Sequence, residues 1–573
     1  MRLEIRAKRF TIPGSERIPY RIIPQYEFRI PHMESPEQTT VEKLAWPFNS
    51  FISQPSVRWM LALVTFAFIF IYHTYPLGLS DFWWHLNTGR WIWVHGAMPS
   101  DDPFLFSSAS PLDARASLIL RGYPLSQLFF FGSYTLAGAY ALVVLKASLM
   151  TLFYGLLWNH FRRSGLHSIT ALAIVGLLPL LFFRFDELRP QVFSFIFTLL
   201  VLQLVETLLA RERHGRSVKN YLFLLPAIML FWANLHRGFI IGIGILFVYL
   251  FSEWIARKKS PNLLSDSPLS DDAFRRFLIL TISATAISFV NPVGLTATWA
   301  SFTEVSGPFS QVIDEFLGTL RYFEFIGMKP IGYLVVATAI VPALALLFKW
   351  RELNIAHGLL VAAFLVAGVM SFRFSLLMVT VVLFIAVIYF ARGLNRWLTS
   401  ARGIPIILLW CISTGLLANS ALSRTSLFTA PLETGVIPST AVDYLIQAKP
   451  AGNVYNFFEY GGYLSWRLYP QNIFIDQRNL SWDTYEEYSQ SWRGDYAGVF
   501  RKYQIGVVFY PVYESHSLSR LVVGLLNDKQ WGVGYYDGRN IIFLRNDING
   551  NQPLLNKPAV MESIRETLAY KTH

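Results

Sequence analysis

Only one cysteine, Cys411, stands among the 573 residues. No intrachain disulfide can form, so any domain outside a membrane must fold without one, and a zinc site built on cysteines is excluded. Charge is scarce as well: Asp, Glu, Lys and Arg make up 15% of the chain, against about 25% in a soluble globular protein. There is no Walker A loop, no dinucleotide fingerprint, no Cys/His metal spacing and no repeat of about 20–50 residues. The first residues lack the short apolar core of a secretory signal. Together these absences exclude a soluble enzyme, a disordered chain and a disulfide-knit secreted module.

What the chain has instead is apolar sequence. Hydrophobic residues reach 53% and the mean hydropathy is +0.39. Runs at 59–72, 168–183, 239–251, 331–348, 358–370 and 375–390 are nearly uninterrupted. Extended into their flanks, they reach the roughly 20 residues that cross a bilayer. Eleven spans fit best, at about 58–76, 139–160, 168–184, 190–210, 219–235, 238–256, 276–291, 331–349, 354–371, 374–391 and 404–420. The expected fold class is an α-helical polytopic membrane protein with about 11 transmembrane helices and a small C-terminal extracytoplasmic α/β domain.

The net charge of +12 tests this topology. Residues 421–573 hold 14 Lys+Arg and 14 Asp+Glu, so the whole excess lies among the spans. With the N-terminus inside, the interior loops carry 16 Lys+Arg and the exterior loops, about twice as long in total, carry 9. The basic excess is therefore a topology signal and argues against a nucleic-acid partner. An odd number of spans then places the C-terminal domain outside. Inside the spans Lys146, Glu206 and Glu253 stand out, too few for an ion-coupled transporter with repeat symmetry.

Four segments follow: a basic, proline-containing arm at 1–50, expected to be cytoplasmic and extended or disordered; a transmembrane domain at 51–425 with a long first exterior loop at 77–138; an exterior α/β domain at 430–548; and a tail at 549–573. The α/β domain reads as a helix at 439–448, strands at 453–457 and 472–475, a long helix at 483–502, a strand at 506–510 and a helix at 516–528. A hairpin through 531–544 closes it, with Asp537-Gly538 at the turn.

The first exterior loop opens with Asp81-Phe82-Trp83-Trp84-His85-Leu86-Asn87-Thr88-Gly89-Arg90-Trp91-Ile92. As a helix, it puts Asp81, His85 and Thr88 on one face. An interfacial helix with its tryptophans in the headgroup belt is one reading. A carboxylate that takes a proton from an attacking hydroxyl, with an imidazole beside it, is the chemical one. Asp101-Asp102 before Pro103 form a second acidic candidate or a plain turn. Asp186 and Glu187 are further acidic candidates. Arg184, Arg189, Arg237 and Arg373 all fall at span ends on the face of Asp81, and guanidinium groups suit phosphate oxygens. Another connection on this face includes Asp314-Glu315-Phe316. In the C-terminal domain, Asp476 and Arg478 are placed to pair and brace the loop after a strand, and Tyr460, Trp466, Trp482 and Trp492 read as core aromatics or a carbohydrate platform.

Asp81–Ile92 with Asp102-Pro103-Phe104, Arg189-Pro190-Gln191-Val192-Phe193-Ser194, Trp232-Ala233-Asn234-Leu235-His236, Gly461–Arg467 and Phe474–Arg478 together resemble the GT-C superfamily of membrane glycosyltransferases. More narrowly, they resemble a group of largely uncharacterised bacterial membrane proteins of that type, over roughly residues 55–545. The resemblance implies a polyprenyl-phosphate-linked sugar donor and inverting transfer to an extracytoplasmic acceptor at a bacterial inner membrane. It implies Asp81 as the base, with His85 and one or more of Arg184, Arg189, Arg237 and Arg373 on the donor phosphate. No cofactor is certain; a divalent metal near Asp81 or Asp101-Asp102 is left open. The chain departs from the group at Gly122-Tyr123-Pro124-Leu125, where an acidic residue is missing, and at Gln477. These departures, with the arm, keep a second reading: a catalytically degenerate scaffold that binds protein partners through residues 1–45 or the C-terminal domain.

Overall fold

The computed structural model describes residues 54–556 and 562, apart from 109–110, 184, 186, 259–267, 401–403, 428, 479 and 515–516. The expected arm at 1–50, Arg184, Asp186 and most of the tail lie outside the described residues.

The chain opens with α1 (Pro55–Tyr72), α2 (Phe82–His95), α3 (Ala114–Arg121) and α4 (Pro124–Arg163). It continues through α5 (Ser168–Leu181), α6 (Gln191–Arg213), α7 (Lys219–Leu235), α8 (Phe239–Lys258), α9 (Asp271–Ile287), α10 (Leu295–Ser306) and α11 (Thr319–Phe325). Then come α12 (Lys329–Leu347), α13 (Ile355–Met370), α14 (Ser375–Ser400) and α15 (Ile404–Arg424). A helix lies over every expected span. Among the described residues, seven helices are long and apolar enough to cross a membrane, and Ser168–Leu181, Tyr221–Leu235 and Ile355–Met370 are shorter apolar helices. The protein is an integral membrane protein built mainly of helices. Expected span 276–291 is shifted: α9 begins at Asp271, capped by Ser270, whose hydroxyl accepts from the Ala273 amide at 3.3 Å.

Helix α4 is two helices in one run. Ala137 (φ −151°) and Gly138 (φ 60°) break it, and only the part after the break matches the second expected span. Glycine fits the left-handed conformation there without the steric cost of a Cβ. Pro124 starts the run at a position where a missing amide costs nothing. Helix α15 packs against α1 and α5, and α14 against α12 and α13.

The three charges inside the spans are all bonded. Glu206 accepts from the Tyr249 hydroxyl and pairs with His357 Nε2 at 2.7 Å; Glu253 pairs with Arg213; Lys146 Nζ donates to the Tyr75 carbonyl at 3.0 Å. Pairing is what makes such groups tolerable in an apolar surrounding.

The C-terminal region holds α16 (Ser439–Ala448), β1 (Asn453–Asn456), α17 (Gly461–Leu468), α18 (Trp482–Trp492), α19 (Ala497–Lys502), β2 (Ile505–Pro511), β3 (Tyr513–Glu514), β4 (Ser517–Leu518), α20 (Arg520–Asn527), β5 (Trp531–Tyr536) and β6 (Asn540–Arg545). The main sheet has the order β1-β2-β6-β5, with β1 and β2 parallel and the other pairs antiparallel. The hairpin turn falls at Asp537-Gly538: Asp537 Oδ1 accepts from the Arg539 and Asn540 amides at 2.9 and 2.7 Å, and Gly538 has φ 87°. Two expectations fail. The segment 472–475 is no strand; Ile473 bridges singly to Leu105 and Val454. The long helix at 483–502 is split at Gly494 (φ 106°), which an α-helix does not accommodate.

This domain is packed on the first loop. Ile473 donates to the Phe104 carbonyl at 3.0 Å and accepts from the Phe106 amide at 3.1 Å. Asn87 donates to the Ser465 carbonyl at 3.0 Å, and the Trp83 ring meets Tyr463 edge-on at 4.9 Å. Helix α2 is thus buried between α4 and the C-terminal domain, with Trp83 and Trp84 nearly inaccessible. The headgroup-belt reading fails for these two tryptophans; Trp93, near the end of the helix, is 66% exposed.

Candidate active site

Asp81 stands at the N-cap of α2, but its side chain caps no amide. It points instead to Arg189, with Oδ2 3.4 Å from Nε. The same guanidinium meets Glu187 Oε2 at 2.9 Å and the Glu315 carboxylate through Nη1. Glu315 in turn takes Arg373 on its other oxygen, at 3.1 Å from Nη2 and 3.2 Å from Nε. Four connections therefore converge: the start of the first loop, the α5–α6 turn, the turn at Asp314–Phe316 and the turn before α14. A planar fork with five donors suits this task, because it can meet several carboxylates at fixed angles.

Each of these side chains is 22–34% exposed, so the cluster stays open to a ligand. Burial would push the Glu315 carboxyl up, but Arg189 and Arg373 beside it hold it at about 2. Burial would lower the Arg189 pKa, and Asp81, Glu187 and Glu315 raise it well above the ordinary value. Glu315 and Arg189 are therefore both ionised at neutral pH. Among the described residues no group of three or more His, Cys, Asp and Glu is arranged to hold a metal ion. The cation at the centre of these carboxylates is a guanidinium.

His85 lies one turn on from Asp81, buried against Tyr123 and Phe130 with ring centroids 5.3 and 6.2 Å away. Among the described residues its Nδ1 has no hydrogen-bond partner. Burial first, then His236, Arg189 and Arg478, hold its pKa well below the usual histidine range. The ring is neutral, so it can offer a ligand a hydrogen bond but no charge. His236 is built into a second polar group. Its Nδ1 accepts from the Gly238 amide at 3.1 Å and lies 2.6 Å from Ser194 Oγ, which also receives the Trp232 indole N–H at 2.7 Å. Two donors at Nδ1 put the proton on Nε2. Burial, Arg237 and Arg373 keep this ring neutral as well. A Cβ at Gly238 would fall 2.1 Å from Ser194 Oγ, so only glycine fits beside the serine.

The sequence-derived residues are thus divided. Asp81, Glu187, Arg189 and Arg373 come together, joined by Glu315. His85 lies buried beside them, and Arg237 follows His236. Arg184 and Asp186 lie outside the described residues. Asp101 is exposed and accepts from Ser100. Asp102 sits in a different place: its carboxylate is wholly buried, its Oδ1 accepts from Arg478 Nη1 at 3.0 Å and its Oδ2 forms an ion pair with Nη2 at 3.0 Å, while Arg478 also grips Asp476 at 2.7–3.0 Å. Burial pushes the Asp102 carboxyl up to about 6, against the pull of Arg478 and with help from the Asp476 charge. Asp102 bonds the Phe104 amide too, so it is both the turn residue and the link to the C-terminal domain. Trp466 is buried and holds the Arg90 guanidinium 4.3 Å from its ring, which makes it a core aromatic.

No family model and no curated protein matches the chain. Among solved structures it is similar to the archaeal oligosaccharyltransferase AglB from Archaeoglobus fulgidus in complex with an inhibitory peptide and a dolichol-phosphate, at 12% identity. That match covers 83% of this chain and 72% of the other, with a TM-score of 0.52. It is also similar to the oligosaccharyltransferase of the same organism in its apo form, at 11% identity, over 84% of this chain and 73% of that one, with a TM-score of 0.54. ArnT from Cupriavidus metallidurans bound to undecaprenyl phosphate matches at 13% identity, over 87% and 98%, with a TM-score of 0.49. At such identities the likeness is one of fold, and the chain has the fold of the GT-C membrane glycosyltransferases.

Proposed function

We propose that the chain transfers a sugar from a polyprenyl-phosphate-linked donor to an acceptor on the extracytoplasmic side of a bacterial cytoplasmic membrane, with Asp81 as the base. The observation that carries this reading is the convergence of Asp81, Glu187 and Glu315 on Arg189 in a cluster that remains partly open. A carboxylate at that place can take the proton of an attacking hydroxyl as the new glycosidic bond forms and the lipid phosphate leaves. Arg189 and Glu315 position Asp81; neutral His85 is placed to hydrogen-bond a substrate group. The dolichol-phosphate in the complex of the Archaeoglobus fulgidus enzyme is the kind of carrier that this reading expects. The excess of Lys and Arg on the side opposite the first loop supports an outward-facing site.

The scaffold reading has support of its own in the long contact between the first loop and the C-terminal domain, which would hold the fold without any chemistry. The test is transfer from a polyprenyl-phosphate sugar by purified protein. Asp81→Asn is expected to lower the rate by 100-fold or more, the order of a general base's contribution (about 10²–10⁴-fold), while the protein stays monodisperse. A well-folded Asp81→Asn variant of full activity would remove Asp81 from the mechanism. A wild-type chain that transfers nothing while stoichiometric protein partners stay bound would favour the scaffold.

A further inference from the structure

Among the described residues, Arg90 is a cation without a counter-charge. It stands on α2 about two and a half turns on from Asp81, and so on the opposite face of that helix. Its guanidinium is held between the Trp466 and Tyr469 rings, 4.3 Å from each centroid. Nη2 donates to Asn87 Oδ1 and, at 3.2 Å, to the Trp466 carbonyl, both neutral acceptors. Nε is buried without a partner; Nη1, which also makes no hydrogen bond among the described residues, stays open to solvent. Burial pulls the pKa of the group below the ordinary arginine value, and what opposes this is two phenols, Tyr469 and Tyr134, with no carboxylate beside them. Arg189, Arg373, Arg467 and Arg478 differ, because each meets an acidic side chain. A charge taken from water without a counter-ion is costly. Two ring faces offset part of that cost, but they leave the donor at Nη1 unused.

The residues around Arg90 are apolar and exposed. Trp93 and Val94, one turn further along the same face of α2, are each 66% exposed. On α4, Phe131 lies 6.2 Å from the Trp93 ring and Tyr134 meets Trp466 edge-on at 5.1 Å. Leu136, just beyond, is 85% exposed. Helix α4 breaks at Ala137 and Gly138, and its span begins after the break. Tyr134 therefore stands less than about two turns from the point where α4 enters the apolar layer. That is the depth of lipid phosphates and glycerols, where tryptophan is at home and a guanidinium suits a phosphate oxygen. An amphiphile fits: an anionic head on Arg90, and its first apolar carbons on Trp93, Val94 and Leu136.

We infer that Arg90 binds the phosphate of an anionic phospholipid in the leaflet on the side of the C-terminal domain, with Trp93, Val94 and Leu136 against its glycerol and upper acyl chains. The lipid is a fixed part of the fold and not a reactant, since it sits on the face of α2 turned away from Asp81. It ties α2, the outer part of α4 and α17 to the bilayer surface, and with them the segment that carries Asp81. The inference does not rest on the proposed transfer reaction.

The test is lipid binding by the full-length protein, delipidated in detergent and titrated under native mass spectrometry, with phosphatidylglycerol, diacylglycerol and inorganic phosphate as probes. Phosphatidylglycerol is expected to bind about 10-fold or more tightly than diacylglycerol, and Arg90→Gln to remove that preference, the size of one lost charge-assisted contact. Arg90→Lys is expected to recover part of it. Arg467→Gln, which alters a neighbouring cation already paired with Asp443, is expected to leave binding unchanged. A phosphatidylglycerol carrying a photoreactive group beside its phosphate is expected to label the peptides that hold residues 90–94 or 466–469. Equal binding of diacylglycerol and phosphatidylglycerol, or labelling only elsewhere, overturns the site. So does full binding by Arg90→Gln or, should that variant not fold, by Trp93→Ala, whose exposed side chain the fold does not need. Displacement by inorganic phosphate at the lipid's own concentration overturns a lipid occupant. Transfer plays no part in these readouts, so an inactive wild-type chain that still selects the anionic lipid refutes the enzyme and leaves this site standing.

Discussion

Arg478→Met should unlock the first loop from the C-terminal domain at neutral pH. Arg478, Asp102 and Asp476 have fully buried side chains, and the guanidinium is the only cation that the triad contains. Removing one partner of a buried ion pair costs about 3–5 kcal/mol, because the remaining charge is left without water or counter-ion. At 1.4 kcal/mol per tenfold, this is an increase in local opening of roughly 150- to 4,000-fold. The readout is hydrogen exchange at the Phe106 and Ile473 amides, which close the adjoining backbone bridge, expressed as protection factors so that the intrinsic pH dependence cancels. The sign with pH is fixed by Asp102. Its folded pKa, about 6, lies above the ordinary carboxyl value of 3.8. Its contribution is therefore present in full below pH 3.8 and is lost, to about 3 kcal/mol in all, as pH rises through about 6. The wild-type bridge is expected to be better protected at pH 5 than at pH 7.5. In Arg478→Met the loss should shrink at pH 5, where Asp102 takes up a proton. The triple change Asp102→Asn, Asp476→Asn and Arg478→Met should restore most of the protection. Unchanged protection in Arg478→Met at pH 7.5, or a loss as large at pH 5, would refute the reasoning.

Glu315→Gln takes from Arg189 and Arg373 their shared acceptor; transfer is expected to fall by about tenfold or more with Glu315→Asp intermediate, measured as kcat/KM. The Glu315 carboxyl is held at about 2, so its support is present above pH 4.5 and is lost only as pH falls from there through about 2. On this account a rate profile between pH 5 and 8 shows no step from Glu315. Gly89→Ala sets a Cβ 2.1 Å from the Gln127 carbonyl oxygen, where α2 lies against α4. The backbone must move, at a cost of about 1–3 kcal/mol, seen as a lower unfolding temperature and a smaller monodisperse yield. A Gly89→Ala variant as stable as the wild type would show that the two helices have room to part.

The scarcity of charge and the apolar runs determined, without any structure, that the chain is a polytopic membrane protein, because a bilayer demands long apolar helices wherever a chain crosses it. Local chemistry was equally legible: the helix at 439–448, the turn at Asp537-Gly538 and the pairing of Asp476 with Arg478 depend on neighbours a few residues apart. Asp81, Arg189 and Arg373 could be singled out because they sit at span ends on one face. Tertiary structure decided which of them meet. Glu315 reaches Arg189 across 126 residues and Asp102 reaches Arg478 across 376, and no periodicity carries such a distance. The same holds for Lys146, which stands out in the sequence as a charge inside a span, while only the packing of the helices brings Arg424 to the same Tyr75 ring. A side chain's type and its place on an element are written locally, whereas its partner is set by how the helices pack.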